Sequence, residues 1–490
     1  IFDLTGATNV EIGCLELTDH SDCVEFHTGG LPCPREEYPY GDWAPRGIYA
    51  EDAGNVYLHD LDVHGLAHEG IHAGRLADWT VENVRLAGNG WAGWDGDVVG
   101  DDGNAGTLTF RNFVVEWNGC GETWPGGAPT GCWSQTAGGY GDGLGTGETG
   151  GAWIFEDSRF LHNTSDGLDL LYATRADATI AVRRVWSEGN AGNQLKTAGP
   201  ARIENCVVVG NCGFFDGQDF TYAVDPCRAL GNVLSLSLGP GDQAAIVNCT
   251  VAGEGDCLVL ADARGAVDGS EKIVLRNNVF LGFADYHQPF ENACLTYGEG
   301  FAGDPFDVDY SVVAGIKNGA CSTGAHDVCA SPLLAGMTLA AFDPTLLSNS
   351  PAIDAGVDRP ELDRDVDGRP RPLDGTNDGT NRWDVGAREF VHPLADSDGD
   401  RMRDADEIVA GTDATNAAAW FAVDGARPGF VLDWWGVVGR RYDVETAPAV
   451  AGEWTALAGA TNLPGANAQI VLTNEPPADG GFYRVRVRRP

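Results

Sequence analysis

The chain has 490 residues and carries 72 Asp and Glu against 31 Lys and Arg, a formal net charge of −41. This charge argues against a nucleic acid or an anionic membrane surface as partner, because both need a basic protein surface. No apolar run approaches the ~20 residues of a membrane span, and 43% apolar residues indicate a folded chain. The basic residues include only three lysines, Lys196, Lys272 and Lys317.

Short strand-like segments that end in an asparagine or glycine turn recur along the first two thirds of the chain. The successive turn asparagines are Asn89, Asn118, Asn163, Asn190 and Asn211. A period of a little over 20 residues with loop insertions is typical of stacked coils that bury one another's inner faces. The sequence therefore predicts an all-β chain, with a right-handed parallel β-helix over residues 1–345 and the asparagines stacked as a ladder. The alternative, an antiparallel sandwich, would not place these asparagines in register.

Thirteen cysteines predict an oxidising compartment. Cysteines that lie close together in loops are predicted to pair as Cys23/Cys33, Cys120/Cys132, Cys212/Cys227 and Cys321/Cys329. Cys206 and Cys249 lie in apolar segments and are predicted to be small core residues. The chain opens at Ile1 in strand-like sequence, so we interpret it as processed or trimmed.

Two adjacent coils align without gaps, and the coil before them aligns through a shared leucine. The three segments read GDGLG (141–145), NTSDGLDL (163–170) and NAGNQLKT (190–197). If the leucines stack inward, Asp166 lies near Asn193, and Asp169 lies beside Lys196 at the strand spacing of about 4.8 Å. The same alignment places Asp142 above Asp166.

Three carboxylates, those of Asp142, Asp166 and Asp169, are thus predicted to converge on an exposed patch beside Lys196. Like charges this close repel unless a cation lies among them, and oxygen ligands of this kind suit Ca²⁺. The simpler alternative is a surface salt bridge between Asp169 and Lys196 with two solvated aspartates.

The segment SDGLDLL, followed one coil later by GNQLKTAG, resembles the core of the family-nine polysaccharide lyases. These are parallel β-helix enzymes that cleave pectate-type uronic acid polymers. The resemblance covers residues 140–215 and implies that Lys196 is the Brønsted base. The Ca²⁺ ligands that it implies are Asp142, Asp166 and Asp169. This sequence departs from the family pattern at Ser165, where the family has a carboxylate, at Leu195, where it has an aromatic residue, and at Ala198, where it has glycine.

The implied reaction is β-elimination, in which a base removes the proton beside a uronate carboxylate whose charge Ca²⁺ neutralises. An ordinary lysine has a pKa near 10.4, so this base predicts an alkaline optimum. The implied partner is an acidic polysaccharide. Guanidinium groups pair with carboxylates and sugar rings stack on aromatic faces, so the candidate substrate-binding residues are Arg175, Arg183, Arg184, Arg228 and Tyr172.

Four histidines cluster in VYLHDLDVHGLAHEGIHAG, at positions 59, 64, 68 and 72. The i,i+4 spacing of His68 and His72 suits zinc only on a helix. This stretch is typical of strands and turns, so we favour a turn ladder over a metal site.

The sequence changes in character after the predicted β-helix. Residues 346–392, with SPAIDAG and DVGAREF, resemble the choice-of-anchor Q segment that closes bacterial surface β-helices, which implies a secreted or surface-attached protein. Residues 393–420 form a linker with the spacing of an EF-hand-like Ca²⁺ loop. Its predicted ligands are Asp396, Asp398, Asp400, the Met402 carbonyl, Asp404 and Glu407. Arg401 replaces the usual glycine, and an acidic solvated linker is the alternative.

Residues 421–490 alternate as strands and predict a small β-sandwich, suited to surface attachment or self-association. The favoured function is a secreted, calcium-dependent polysaccharide lyase. The first alternative is a non-catalytic surface β-helix that binds glycan or assembles into an extracellular structure. The second is a glycoside hydrolase that uses two of the same carboxylates. Lys196 discriminates among them, because only the lyase needs it.

Overall fold

The computed structural model describes residues 1–21, 44–98, 103–132, 141–216, 218, 233–254, 257–283, 294–319, 321, 324–427, 431–473 and 481–490. The chain divides into two compact units, residues 1–368 with 384–388, and residues 369–383 with 389–490. No helix among these residues is long and apolar enough to cross a membrane.

The first unit is an all-β parallel β-helix, as the sequence predicts. One face is a ten-stranded parallel sheet, hereafter the first sheet. Its strands are Phe2–Asp3, Arg46–Glu51, Glu69–Gly74, Ala92–Asp95, Leu144–Gly145, Leu168–Leu170, Leu195–Ala198, Leu234–Leu238, Cys257–Ala263 and Cys294–Glu299.

The other faces form an eighteen-stranded sheet, hereafter the second sheet. Its strands are Thr8–Thr18, Gly54–His64, Ala77–Ala87, Ala105–Arg111, Val114–Glu116, Ala152–Glu156, Arg159–Leu161, Thr179–Arg183, Trp186–Glu188, Ala201–Glu204, Val207–Gly210, Gln243–Val247, Thr250–Gly253, Lys272–Arg276, Val279–Gly282, Phe306–Asp309, Val312–Ala314 and Val328–Cys329. Most coils add two strands here, separated by two residues of which one has positive φ, such as Asn205 (53°) or Asn248 (52°). Asparagine tolerates this left-handed conformation better than most residues.

The core follows from the alternation of side chains along each strand. In Ala152–Glu156, for example, Trp153 and Phe155 are buried while their neighbours are not. In the first sheet, Leu144 pairs in register with Leu168, and Leu168 with Leu195. All three leucines are fully buried, which confirms that they stack inward and fixes the register of the coils.

The predicted asparagine ladder is present inside the turns. Each amide nitrogen donates to the next side-chain oxygen: Asn89 to Asn118 (2.9 Å), Asn118 to Asn163 (2.9 Å) and Asn163 to Asn190 (2.8 Å). The ladder ends when Asn190 donates to Gln194 at 2.8 Å. Asn211 was expected to extend it, but its amide donates instead to a backbone carbonyl outside the ladder.

Two predicted disulfides, Cys120–Cys132 and Cys321–Cys329, are confirmed. The sequence did not reveal Cys257–Cys294, which joins register partners on neighbouring strands of the first sheet. Cys206 and Cys249 are buried free thiols, as predicted. The predicted pairs Cys23/Cys33 and Cys212/Cys227 include cysteines outside the described residues.

Short elements complete the first unit. They are the paired strands Gly121–Thr123 with Ala128–Thr130, the paired strands Leu334–Gly336 with Asp343–Leu346, and the 3₁₀ turns Cys212–Phe215 and Leu339–Ala341. Beyond Leu346, which ends the strand Asp343–Leu346, the predicted closing segment 346–392 contains no helix or named strand, and it is divided between the two units.

The second unit contains one α-helix, Asp404–Ala410, among its described residues. It also contains two antiparallel sheets that share a core around Trp434 and Tyr442. Their strands are Val423–Arg427, Val431–Gly436 and Ala468–Thr473 in one, and Arg441–Ala447, Thr455–Ala456, Leu463–Pro464 and Phe482–Arg488 in the other.

We expect Asn118→Ala to lower the free energy of unfolding by about 3 kcal/mol, because it leaves several buried ladder groups without partners. Scanning calorimetry should show a lower unfolding midpoint. Gln243→Ala is the control, since this exposed carboxamide makes one hydrogen bond outside the ladder. Equal midpoints for the two variants would contradict a stabilising role for the ladder.

Candidate functional site

The predicted site lies where coils of the first sheet meet the ladder turns. Asp169 and Lys196 are register partners on neighbouring strands. The Lys196 amine lies 2.6 Å from Asp169 Oδ2 and 3.0 Å from Asp166 Oδ2. Carboxylate oxygens of Asp142, Asp166 and Asp169 lie within 4.8 Å of one another. We call these four residues the acid–lysine cluster.

Each aspartate of the cluster is oriented by a backbone N–H. Asp142 Oδ1 accepts from the Asp166 N–H at 2.9 Å. Asp166 Oδ1 accepts from the Asn193 N–H at 2.6 Å, and Asp169 Oδ1 accepts from the Leu171 N–H at 3.0 Å. In Asp166 and Asp169 this leaves the Oδ2 atoms for Lys196.

The cluster is buried, whereas the sequence predicted an exposed patch. The exposed fractions are 2% for Asp142, 2% for Asp166 and 8% for Asp169. The side chains of Asp142 and Asp166 each accept a hydrogen bond from a backbone N–H of the next coil, so they are held between neighbouring coils. The expectation of an exposed patch is therefore corrected.

Burial sets the electrostatics of the cluster. Burial would lower the pKa of Lys196, but the surrounding carboxylates outweigh it and hold that pKa above its ordinary value. Burial raises the pKa of Asp169, and the charge of Lys196 opposes the rise. With three carboxylates and one ammonium, the cluster has a formal charge of −2, which one divalent cation would balance.

Ser165 stands where the lyase resemblance places a carboxylate. Its side chain is fully buried, and its Oγ has no hydrogen-bond partner in the described part of the chain. The carboxylates that face one another at the cluster are therefore those of the three aspartates, without the additional one that the resemblance implies at position 165.

A cavity of about 180 Å³ adjoins the cluster. It is lined by Trp94, Asp95, Asp97, Asp142, Gly145, Thr146, Gly147, Asp169 and Tyr172. Tyr172 is 57% exposed at its edge, a suitable position for stacking on a sugar ring. A side chain at position 145 would crowd the cavity wall, because a Cβ on Gly145 would lie 2.9 Å from Asp142 Oδ2.

None of the three candidate arginines in the described part of the chain lines this cavity. Arg183 lies on the second sheet, paired with Glu204 at 3.1 Å and Glu156 at 3.4 Å. Arg184 pairs with Asp157. The Arg175 guanidinium lies against Gly103, and Arg228 lies outside the described residues.

The predicted calcium loop, residues 396–407, lies in the second unit. Carboxylate oxygens of Asp396, Asp398 and Asp400 lie within 4.8 Å of one another. Asp398 Oδ2, Asp400 Oδ2 and Glu407 Oε2 are buried and have no hydrogen-bond partner in the described part of the chain. Orphaned carboxylate oxygens are costly without a cation, so these residues fit Ca²⁺.

Two other predicted ligands of the loop, Asp404 and Met402, make hydrogen bonds within the protein. Both oxygens of Asp404 accept hydrogen bonds from Ser397, each at 2.7 Å, so they face that residue. The Met402 N–H donates to Asp400 Oδ1 at 2.6 Å. Arg401 has a φ of 84°, the left-handed conformation for which EF-hand loops use glycine.

A second group of potential metal ligands lies beside the same cavity, and the sequence pattern did not predict its two carboxylates. Glu69, His72 and Asp95 bring potential ligand atoms within 4.8 Å of one another, and we call them the histidine–carboxylate cluster. Continuing the leucine alignment to the preceding coils would have predicted this group. Leu144 pairs with Trp94, and Trp94 pairs with Ile71, next to His72.

Comparison with known proteins gives a structural neighbour. No model of a known protein family matches the chain, and no curated protein matches it. Among solved structures, the chain is similar to the crystal structure of pectate lyase Pel9A, with 15% sequence identity and a TM-score of 0.40. The match covers 70% of this chain and 73% of that chain.

We expect Ca²⁺ to raise the unfolding temperature through the 396–407 loop, and Glu407→Gln to abolish this part of the increase. Burial raises the pKa of Glu407 to about 7, with the Asp398 charge adding to the rise. The neutral amide should therefore be at least as stable as the wild type in EDTA and less stable in Ca²⁺. Calorimetry of the full chain measures both conditions.

The matched control for the loop is Glu453→Gln, an exposed position in the same unit. It should respond to Ca²⁺ as the wild type does. An equal Ca²⁺-dependent increase in Glu407→Gln would contradict the calcium loop.

Proposed function

We propose that the chain is a secreted, calcium-dependent polysaccharide lyase that cleaves uronic-acid-containing polysaccharide with Lys196 as the base. The observation that carries the proposal is one amine held at 3.0 Å or less from two carboxylates. These groups lie beside a cavity on a parallel β-helix. The resemblance of SDGLDLL and GNQLKTAG to family-nine lyases supports it, and the disulfides are consistent with secretion.

The three aspartates of the acid–lysine cluster would hold the Ca²⁺. Their donors are all oxygens, which suits this ion, and the formal charge of −2 matches it. Bound there, Ca²⁺ would offset the charge of the cluster and act as a Lewis acid on a substrate carboxylate. Tyr172, at the cavity edge, is the proposed platform for a sugar ring.

Lys196 must act as a neutral amine. Its Nζ accepts the proton from the carbon beside the uronate carboxylate. The electron pair of that C–H bond forms a carbon–carbon double bond, and the neighbouring carbon–oxygen bond breaks. The departing oxygen takes a proton from water. Asp166 and Asp169 position the amine before the reaction.

We expect Lys196→Arg to lower lyase activity by a factor of about 10²–10⁴, the usual contribution of a general base. Arginine keeps the positive charge among the aspartates but does not lose its proton, so this variant separates the base from the counter-ion. The assay incubates polygalacturonate and other uronic polymers with Ca²⁺ and follows the absorbance of unsaturated product.

Lys272→Arg is the matched control, since this lysine pairs with Asp307 on the second sheet, away from the cavity. It should keep full activity. Wild-type activity in Lys196→Arg would refute the proposed base. If the wild type yields no unsaturated product from any uronate, the lyase proposal fails.

A non-catalytic glycan-binding β-helix is the second candidate. The short contacts of Lys196 favour it, because an ammonium held between two buried carboxylates balances their charge without any catalytic role. This candidate predicts binding of uronic polymers without product, with equal affinity for the wild type and Lys196→Arg.

A further inference from the structure

The histidine–carboxylate cluster lies on the first sheet, upstream of the acid–lysine cluster. Glu69 and His72 belong to the strand Glu69–Gly74, and Asp95 is the register partner of His72 on the next strand. His72 Nδ1 lies 3.2 Å from Glu69 Oε1 and 3.8 Å from Asp95 Oδ2. Three potential ligand atoms from two coils therefore face one another.

Each of these side chains is held by its other polar atom. Arg46 Nε lies 2.8 Å from Glu69 Oε2. The Asp97 N–H donates to Asp95 Oδ1 at 2.8 Å, and His72 Nε2 lies 3.1 Å from the Asp97 carbonyl oxygen. Outer contacts of this kind fix the orientation of metal ligands in proteins.

The contact with Asp97 determines which nitrogen of His72 carries the proton. A carbonyl oxygen only accepts hydrogen bonds, so Nε2 is the donor. In the neutral ring, Nδ1 then directs a lone pair towards the oxygens of Glu69 and Asp95. Such an arrangement is repulsive unless a cation lies between the three atoms. That cation is either a proton on Nδ1 or a metal ion.

The spacing of the three atoms suits a small metal ion. Ligands bound at 2.0–2.1 Å around tetrahedral zinc lie about 3.4 Å apart. The two distances from His72 Nδ1, 3.2 Å and 3.8 Å, lie on either side of that value.

We propose that Glu69, His72 and Asp95 form a binding site for a divalent transition metal of the zinc class. An imidazole nitrogen with two carboxylates suits Zn²⁺ better than Ca²⁺, which prefers oxygen ligands alone. Three protein ligands leave one coordination position open. Asp95 lines the cavity next to the acid–lysine cluster, so the open position adjoins the space proposed for substrate.

His68 completes the surroundings of the site. It is 4% exposed, and its Nδ1 lies 2.5 Å from Glu69 Oε1. Its ring packs on Trp91, with centroids 3.8 Å apart. Glu69 Oε1 would therefore be shared between His68 and the metal. The site does not depend on the lyase proposal, since binding is measured without substrate.

The test uses the full chain without a histidine tag, treated with EDTA and then dialysed against Zn²⁺ in saturating Ca²⁺. Bound zinc is measured by mass spectrometry of the metal content. We expect His72→Gln and Asp95→Asn each to bind one Zn²⁺ fewer per chain than the wild type. The matched control is His326→Gln, whose Nδ1 also contacts a carboxylate, that of Asp309. It should bind as much Zn²⁺ as the wild type.

A second measurement guards against misfolded variants. In EDTA, both site variants should give the wild-type circular dichroism spectrum, and Co²⁺ should give the wild type a visible absorption that they lack. Asp95→Asn keeps a side chain of the same shape, so one of the two variants remains informative if the other does not fold. Unchanged zinc content in the folded variants, or a wild type that binds no Zn²⁺, would overturn the proposal.

Discussion

A single hydrogen bond, repeated from coil to coil, holds the turns of the β-helix in register. The amides of Asn89, Asn118 and Asn163 each donate to the asparagine one coil further on, and Asn190 ends the ladder on Gln194, four residues along its own turn. An unsatisfied amide in this buried position would cost about 1–3 kcal/mol, so a slipped coil is unfavourable. The register in turn places Asp169 beside Lys196. The position of the candidate site therefore depends on the register that the ladder and the stacked leucines maintain together.

The sequence predicted the parts of the structure that depend on this repetition. Leucines at equivalent positions gave the coil register, and the register placed Asp142, Asp166 and Asp169 around one lysine. The sequence did not predict the burial of the aspartates, because the bonds to turn N–H groups depend on the local path of the backbone. The sequence also did not predict that Arg183 lies on the second sheet, because the positions of the corners between strands are not visible in the sequence pattern.

Long-range pairings were harder to predict than neighbouring ones. Cys257 and Cys294 are 37 residues apart and become partners only through the register of the first sheet. His72 and Asp95 meet in the same way, and the spacing of the histidines along the chain carries no trace of it. In both cases, extending the leucine alignment to the remaining coils predicts the contact.

Because of the ladder, the number of residues in a coil does not change the distance to the next coil. Asn118 and Asn163 are 45 residues apart, yet they are joined by the same bond as Asn163 and Asn190, which are 27 apart. The additional residues include the hairpin closed by Cys120–Cys132. Excursions between two ladder positions can therefore lengthen, shorten or be exchanged while the coils above and below keep their spacing. Such a scaffold can acquire new surface loops during evolution, or accept grafted ones, at the points where the chain leaves and rejoins the ladder.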